Sequence, residues 1–199
     1  AAFGALVHYV LVVTAIGTII MLSAYPVAMF GARFNLFDFA RAAIPAQSVA
    51  ISTQSSLASL PAMVQGAKQL GVGARSTDIV LPMAVAIFRA TSPAMNLAVA
   101  IYVAHWMGIE LVPEQIVIGV AVASITTLGS VSLPGSISFI AAIAPICIAM
   151  GIPIEPLAVL VAIETFPDIM RTLGNVTMDI AVTGTIARAE GDLEKGEAE

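Results

Sequence analysis

Five ionisable side chains stand inside long apolar runs of this chain: Arg89, Glu164, Asp168, Arg171 and Asp179. Four of them fall between Pro156 and Ile186, together with Thr172 and Asn175. At about 100° per residue, Glu164, Asp168, Arg171, Thr172, Asn175 and Asp179 share a helical wedge of about 100°. An ionisable group at bilayer depth costs about 2.5–3.5 kcal/mol. That face must therefore look into a cavity or pair within itself. Asp168 and Arg171, at i and i+3, can pair. Asp179, roughly two turns on, then needs a cation, which Arg89 or a bound ion supplies. The bland alternative is an ion-pair network that only holds the helices together. Bond-making chemistry is not indicated. His8 and His105 lie outside the polar cluster, its carboxylates face Arg171, and no HExxH, CxxC, GxGxxG or Walker-type motif is present.

The elements that must position these groups are apolar. Of 199 residues, 59% are hydrophobic and 11% charged, and mean hydropathy is +0.98. A soluble domain is about 25% charged, so the composition excludes a soluble domain, a disordered tail and a nucleic-acid binder and predicts an all-α integral membrane protein. The net charge of −5 is local. Glu190 to Glu199 hold five acids and one base, which reads as a solvated acidic tail. Cys147 stands alone in an apolar run, so there is no disulfide framework. The chain opens at Ala1 with no signal peptide, which suggests a fragment of a longer protein.

Six segments follow. Residues 1–31 predict a transmembrane helix, with His8, Thr14, Thr18, Ser23 and two tyrosines as its polar members. Residues 42–71 carry two apolar halves about Ser52-Thr53-Gln54-Ser55-Ser56, each too short to span. This pattern fits a re-entrant hairpin whose tip is buried in protein or lines a wet cavity, or else one ordinary helix with a polar patch. Residues 79–107 predict a transmembrane helix broken at Phe88-Arg89-Ala90-Thr91-Ser92-Pro93, because Pro93 cannot bond the Arg89 carbonyl. Residues 113–150 predict a second hairpin, tipped by Ser130 to Ser136. Residues 156–187 predict the final helix, and 188–199 the acidic tail. A hairpin followed by a polar-centred helix thus occurs twice. Paired interruptions of this kind point to the binding site of a secondary transporter. A channel would instead carry a polar stripe along several whole helices.

Asp168-Ile-Met-Arg171-Thr172-Leu-Gly-Asn175-Val176-Thr-Met-Asp179 resembles the D-x-x-R-T-x-x-N-V-x-x-D signature of the dicarboxylate/amino acid:cation symporters, the glutamate transporter family. Gln54-Ser55-Ser56-Leu57-Ala58-Ser59-Leu60-Pro61 is similar to that family's serine-rich first hairpin tip, and Leu133-Pro134-Gly135 to its second. The resemblance covers nearly the whole chain, as the family's C-terminal half.

The resemblance implies roles. Arg171 would hold the side-chain carboxylate of an acidic substrate through its planar, bidentate fork. Asp168 would take the substrate's amino group, with Thr172 and Asn175 as polar partners. Ser55 and Ser56 would bind the main-chain carboxylate, helped by backbone amides at the tip. Ser92, Leu133 and Gly135 would complete the site, the second hairpin acting as gate. Asp179 and Asn175 would be sodium ligands. No other cofactor is implied, and Na+ or H+ would be the coupling ion. The setting would be the bilayer of a bacterial inner membrane, multi-pass, with the full-length protein a homotrimer.

One departure stands out. The family's Asn-Met-Asp-Gly-Thr motif falls on Phe88-Arg89-Ala90-Thr91-Ser92, so its sodium-serving asparagine and aspartate are absent. Arg89 is expected to supply in fixed form the charge that sodium would bring to Asp179, weakening sodium coupling. The expected function is secondary transport of aspartate or glutamate. C4-dicarboxylate symport is an alternative, as is a truncated, non-transporting membrane protein. Asp168 favours the amino acids, because a second carboxylate would repel succinate or malate.

Overall fold

The computed structural model describes residues 2–129 and 136–193. Among them the chain is helical, with one isolated antiparallel bridge, Val72–Leu193. In order these are α1 (Ala2–Pro26), α2 (Leu36–Thr53), α3 (Ser56–Gln69), α4 (Leu81–Met83), α5 (Ser92–Trp106), α6 (Pro113–Gly129), α7 (Ser136–Ala149), α8 (Leu157–Leu160) and α9 (Thr165–Ala189). Two stretches are long and apolar enough to cross a membrane, Phe3–Ala32 and Ser76–Trp106. The chain divides into two compact units. One comprises Ala1–Thr18 with Thr91–Arg171, the other Ile19–Ala90 with Thr172–Glu199.

In the first unit α5, α6 and α7 pack together. Its core includes Tyr9, Val13, Met95, Val99, Ile143 and Ile146, all fully buried. Pro93 sits in the first turn of α5, where a missing N–H costs nothing. The last span differs from the continuous helix expected over 156–187. It runs as α8, a 3-10 turn over Val161–Ile163, and then α9. Pro167 explains the interruption: it has no N–H for the Ile163 carbonyl, and its ring would clash there. Glu164 therefore lies at the junction rather than on a helix face. The tip expected at Ser130 to Ser136 falls largely outside the described residues.

In the second unit α2 and α3 fold back on one another. Asn35 caps α2 by accepting from the Phe37 amide at 2.9 Å, and Ser55 caps α3 by accepting from the Ala58 amide at 3.2 Å. Only Gln54, at φ 51°, and Ser55 connect the two helices, so the chain must reverse. Gly66 lets the pair close up, since a Cβ there would strike the Ala42 carbonyl. The Gln47 amide donates to Thr177 Oγ1 at 3.0 Å, tying α2 to α9.

The start of the tail is docked, contrary to the solvated reading of 188–199. Gly191, at φ 69°, ends α9, and the Asp192 amide returns to the Ala187 carbonyl at 2.7 Å. The Asp192 carboxylate then accepts from the Ser76 amide at 2.7 Å, and its carbonyl accepts from the Gly73 amide at 2.7 Å. A carboxylate bonded to a backbone N–H is worth more here than in a free tail.

Candidate functional site

A buried ionic cluster occupies the first unit. Arg171 Nη2 donates to Glu164 Oε1 at 2.7 Å, and Nη1 donates to Asp168 Oδ1 at 2.7 Å. The Asp168 pair is the i, i+3 contact read from the sequence; the Glu164 pair depends on the junction before α9. The Tyr9 hydroxyl of α1 donates to Glu164 Oε2 at 2.5 Å. Side-chain exposure is 9% for Arg171 and 8% for Glu164, against 24% for Asp168. Asp168 is thus the open side of the cluster and Glu164 the closed side. With all three groups ionised, two carboxylates face one guanidinium and one negative charge is left over. The fork is already used by internal carboxylates, so another carboxylate could bind Arg171 only by competing with them.

The broken helix meets α9 at the same residue. Thr91 Oγ1 donates to the Arg171 carbonyl at 2.8 Å. Ser92 is buried, and its Oγ has no hydrogen-bond partner among the described residues. A buried hydroxyl left unmatched costs about 1–3 kcal/mol, so it marks a place where a ligand atom could bond.

In the second unit, the residues of α9 after Arg171 are buried on every face as far as Ala181. Thr172, Asn175 and Thr177 belong to this run, with Asp179 fully buried. Neither Asp179 carboxylate oxygen has a hydrogen-bond partner among the described residues. The charged group that acts on Asp179 is Arg89. Arg89 ends the π-helical turn Ala84–Phe88 in a left-handed conformation, φ 34° and ψ 60°. For a residue with a Cβ this is costly, so the surrounding structure holds the guanidinium where it is. Pairs of oxygens such as those of Asp179 suit a hard cation, and Asn175, one turn earlier, carries a further carbonyl oxygen. Arg89 brings a positive charge to the same carboxylate. Among the described residues no cluster of three or more His, Cys, Asp or Glu forms a metal centre.

Ser55 and Ser56 lie in the second unit, at the start of α3, with Ser56 buried and Ser55 half-buried. The Ser55 hydroxyl serves the cap, and the first amides of α3 form a ready anion site. Leu133 and Gly135 lie outside the described residues. Two contributors escape a reading of the sequence. Tyr9 is there only one polar member of an apolar span, and Thr91 only part of a break. The trace that could find Tyr9 is its hydroxyl: a buried phenol needs a partner, and few are available in this chain.

Residues 1–189 match the sodium:dicarboxylate symporter family. Human excitatory amino acid transporter 2 is 30% identical over 155 residues, covering 77% of this chain and 27% of that protein. C4-dicarboxylate transport protein 2 of Ralstonia nicotianae is 28% identical over 190 residues, 95% of this chain and 40% of that protein. An excitatory amino acid transporter of Caenorhabditis elegans is 28% identical over 162 residues, 80% of this chain and 32% of its own length. The chain therefore spans between about a quarter and two fifths of these relatives. With the family match running over almost its full length, the chain belongs to the sodium:dicarboxylate symporter family.

Proposed function

We propose that this chain is the substrate- and ion-handling part of a secondary transporter for small acidic amino acids, aspartate or glutamate. The observation that carries the reading is the buried Arg171 guanidinium, presented at 2.7 Å to two carboxylates at the start of α9. A buried fork of this kind recognises carboxylates by geometry as well as charge. Arg171 takes the substrate's side-chain carboxylate. Asp168, the more open partner, takes its ammonium, with Thr172, Asn175 and Ser92 as polar neighbours. Ser55, Ser56 and the first amides of α3 take the main-chain carboxylate, while Leu133 and Gly135 belong to the gate.

The bilayer setting is supported by Phe3–Ala32 and Ser76–Trp106, each long and apolar enough to span. Helices α3 and α7 have 14 residues each. At about 21 Å they fall short of a hydrocarbon core of about 30 Å. This supports reading α2–α3 and α6–α7 as re-entrant hairpins. The inner membrane and a homotrimeric full-length protein complete the proposal.

Asp179 and Asn175 are the residues that would hold a sodium ion. Arg89 supplies a tethered positive charge to Asp179, so the proposal includes weak or absent sodium dependence, with a proton or exchange in its place.

C4-dicarboxylate transport is the second reading. It is favoured by the Asp168–Arg171 pair, since an aspartate engaged by arginine is less available to an ammonium group. Counterflow by the full-length protein in proteoliposomes decides between the two. Uptake of labelled L-aspartate that unlabelled succinate fails to compete supports the amino-acid reading. Uptake of labelled succinate alone supports the second. Neither uptake removes both.

A further inference from the structure

Tyr9, Glu164, Arg171 and Asp168 form one buried chain of hydrogen bonds, of lengths 2.5, 2.7 and 2.7 Å, from α1 to the start of α9. The cluster holds one carboxylate more than it has guanidinium groups. A bound substrate carboxylate would make three against one in a place where Arg171 and Glu164 are each more than nine-tenths buried. Charges of one sign are not accommodated at such depth without a counter-charge. We propose that Glu164 is an internal stand-in for the substrate carboxylate and takes up a proton when substrate binds. The inference rests on the acidic-substrate reading above.

The step balances simply. A proton from the aqueous side bonds to Glu164 Oε1 as Arg171 Nη2 leaves it. The freed Nη2 then donates to the incoming carboxylate, and no other bond is made or broken. Two observations choose Glu164 over Asp168. Glu164 is the closed side of the cluster, 8% exposed against 24% for Asp168, so water helps it less as an anion. It also has the Tyr9 hydroxyl, which can donate to a carboxylate or accept from a carboxylic acid. The charged groups facing Glu164 are then all named: Arg171 and Asp168 of α9, with the titratable Tyr9 of α1. Glu164 thereby keeps Arg171 satisfied without substrate and gives it up only together with a proton.

The test uses the full-length protein in detergent, with L-aspartate and succinate as probes. Binding is followed by calorimetry between about pH 6.5 and 8.5, where the carboxyl groups of aspartate do not titrate. Proton uptake is followed with an indicator dye in weak buffer. Wild type is expected to weaken by up to about tenfold per pH unit towards alkaline pH and to take up about one proton per substrate. E164Q is expected to bind with a flat pH profile and no proton uptake. Y9F, which keeps the carboxylate, loses a donor that favours the charged form more than the neutral one. Its profile should move to higher pH. The inference is overturned if E164Q keeps the wild-type slope and proton uptake. Should E164Q not fold, an unmoved Y9F profile overturns it instead. A wild type that binds either probe with no pH dependence also overturns it, leaving the acidic-substrate reading intact. A wild type that binds neither removes both.

Discussion

The Tyr9 hydroxyl and the Glu164 carboxylate, 155 positions apart in the chain, meet at 2.5 Å in the interior of one unit. The contact ties the first helix to the residue just before the last one, and through it to Arg171. It makes Glu164 part of a relay rather than a lone counter-ion. Helix α9 cannot take up Arg171 without also fixing the start of the chain.

Y9F should therefore lower stability, by about 1–3 kcal/mol, because Glu164 Oε2 loses its donor in a buried place. Thermal unfolding of the purified full-length protein reads this directly. A Tm equal to wild type would mean that water replaces the hydroxyl at no cost.

Asp179 and Arg89 should behave as a compensating pair. D179N and R89M are each expected to destabilise, since each leaves one charge behind. The double variant should regain part of the loss, with a coupling of about 0.5–3 kcal/mol. Additive losses in the three melting curves would separate the two residues and end the assignment of Arg89 as counter-charge.

Sodium dependence should follow Arg89. Wild-type uptake is expected to be nearly the same with external sodium or choline, and R89M to gain a sodium requirement. An equal, strong requirement in both proteins would contradict the tethered-cation proposal.

Much of this was legible in the residues. Charges inside apolar spans are expensive, so Asp168, Arg171 and Asp179 announced a polar site, and their spacing predicted the i, i+3 pair that forms. The all-helical fold and the break before Pro93 follow from hydropathy and from proline chemistry. What stayed hidden depends on partners distant in sequence. Glu164 looks like one more residue of a helical wedge until Pro167 breaks the helix and turns it to the junction. Tyr9 has no charge to betray it. Asp192 resembles its solvated neighbours in an acidic tail, yet the amide of Ser76 and the Gly73 turn hold it. The left-handed backbone of Arg89 carries no glycine to mark it.

The first hairpin offers a test of packing alone. G66A should cost about 1–3 kcal/mol, because the added methyl meets the Ala42 backbone rather than a side chain that can yield. Unchanged thermal stability would show that α2 and α3 are not held as closely as described.

The central claim, that Arg171 recognises an acidic substrate, is tested most directly by calorimetric binding of L-aspartate and succinate to the full-length protein and to R171K. Lysine keeps the charge and loses the two-pronged fork. Wild type should bind at least one of the two ligands, and R171K should bind it about tenfold or more weakly while remaining folded. Equal affinity in wild type and R171K would contradict the account.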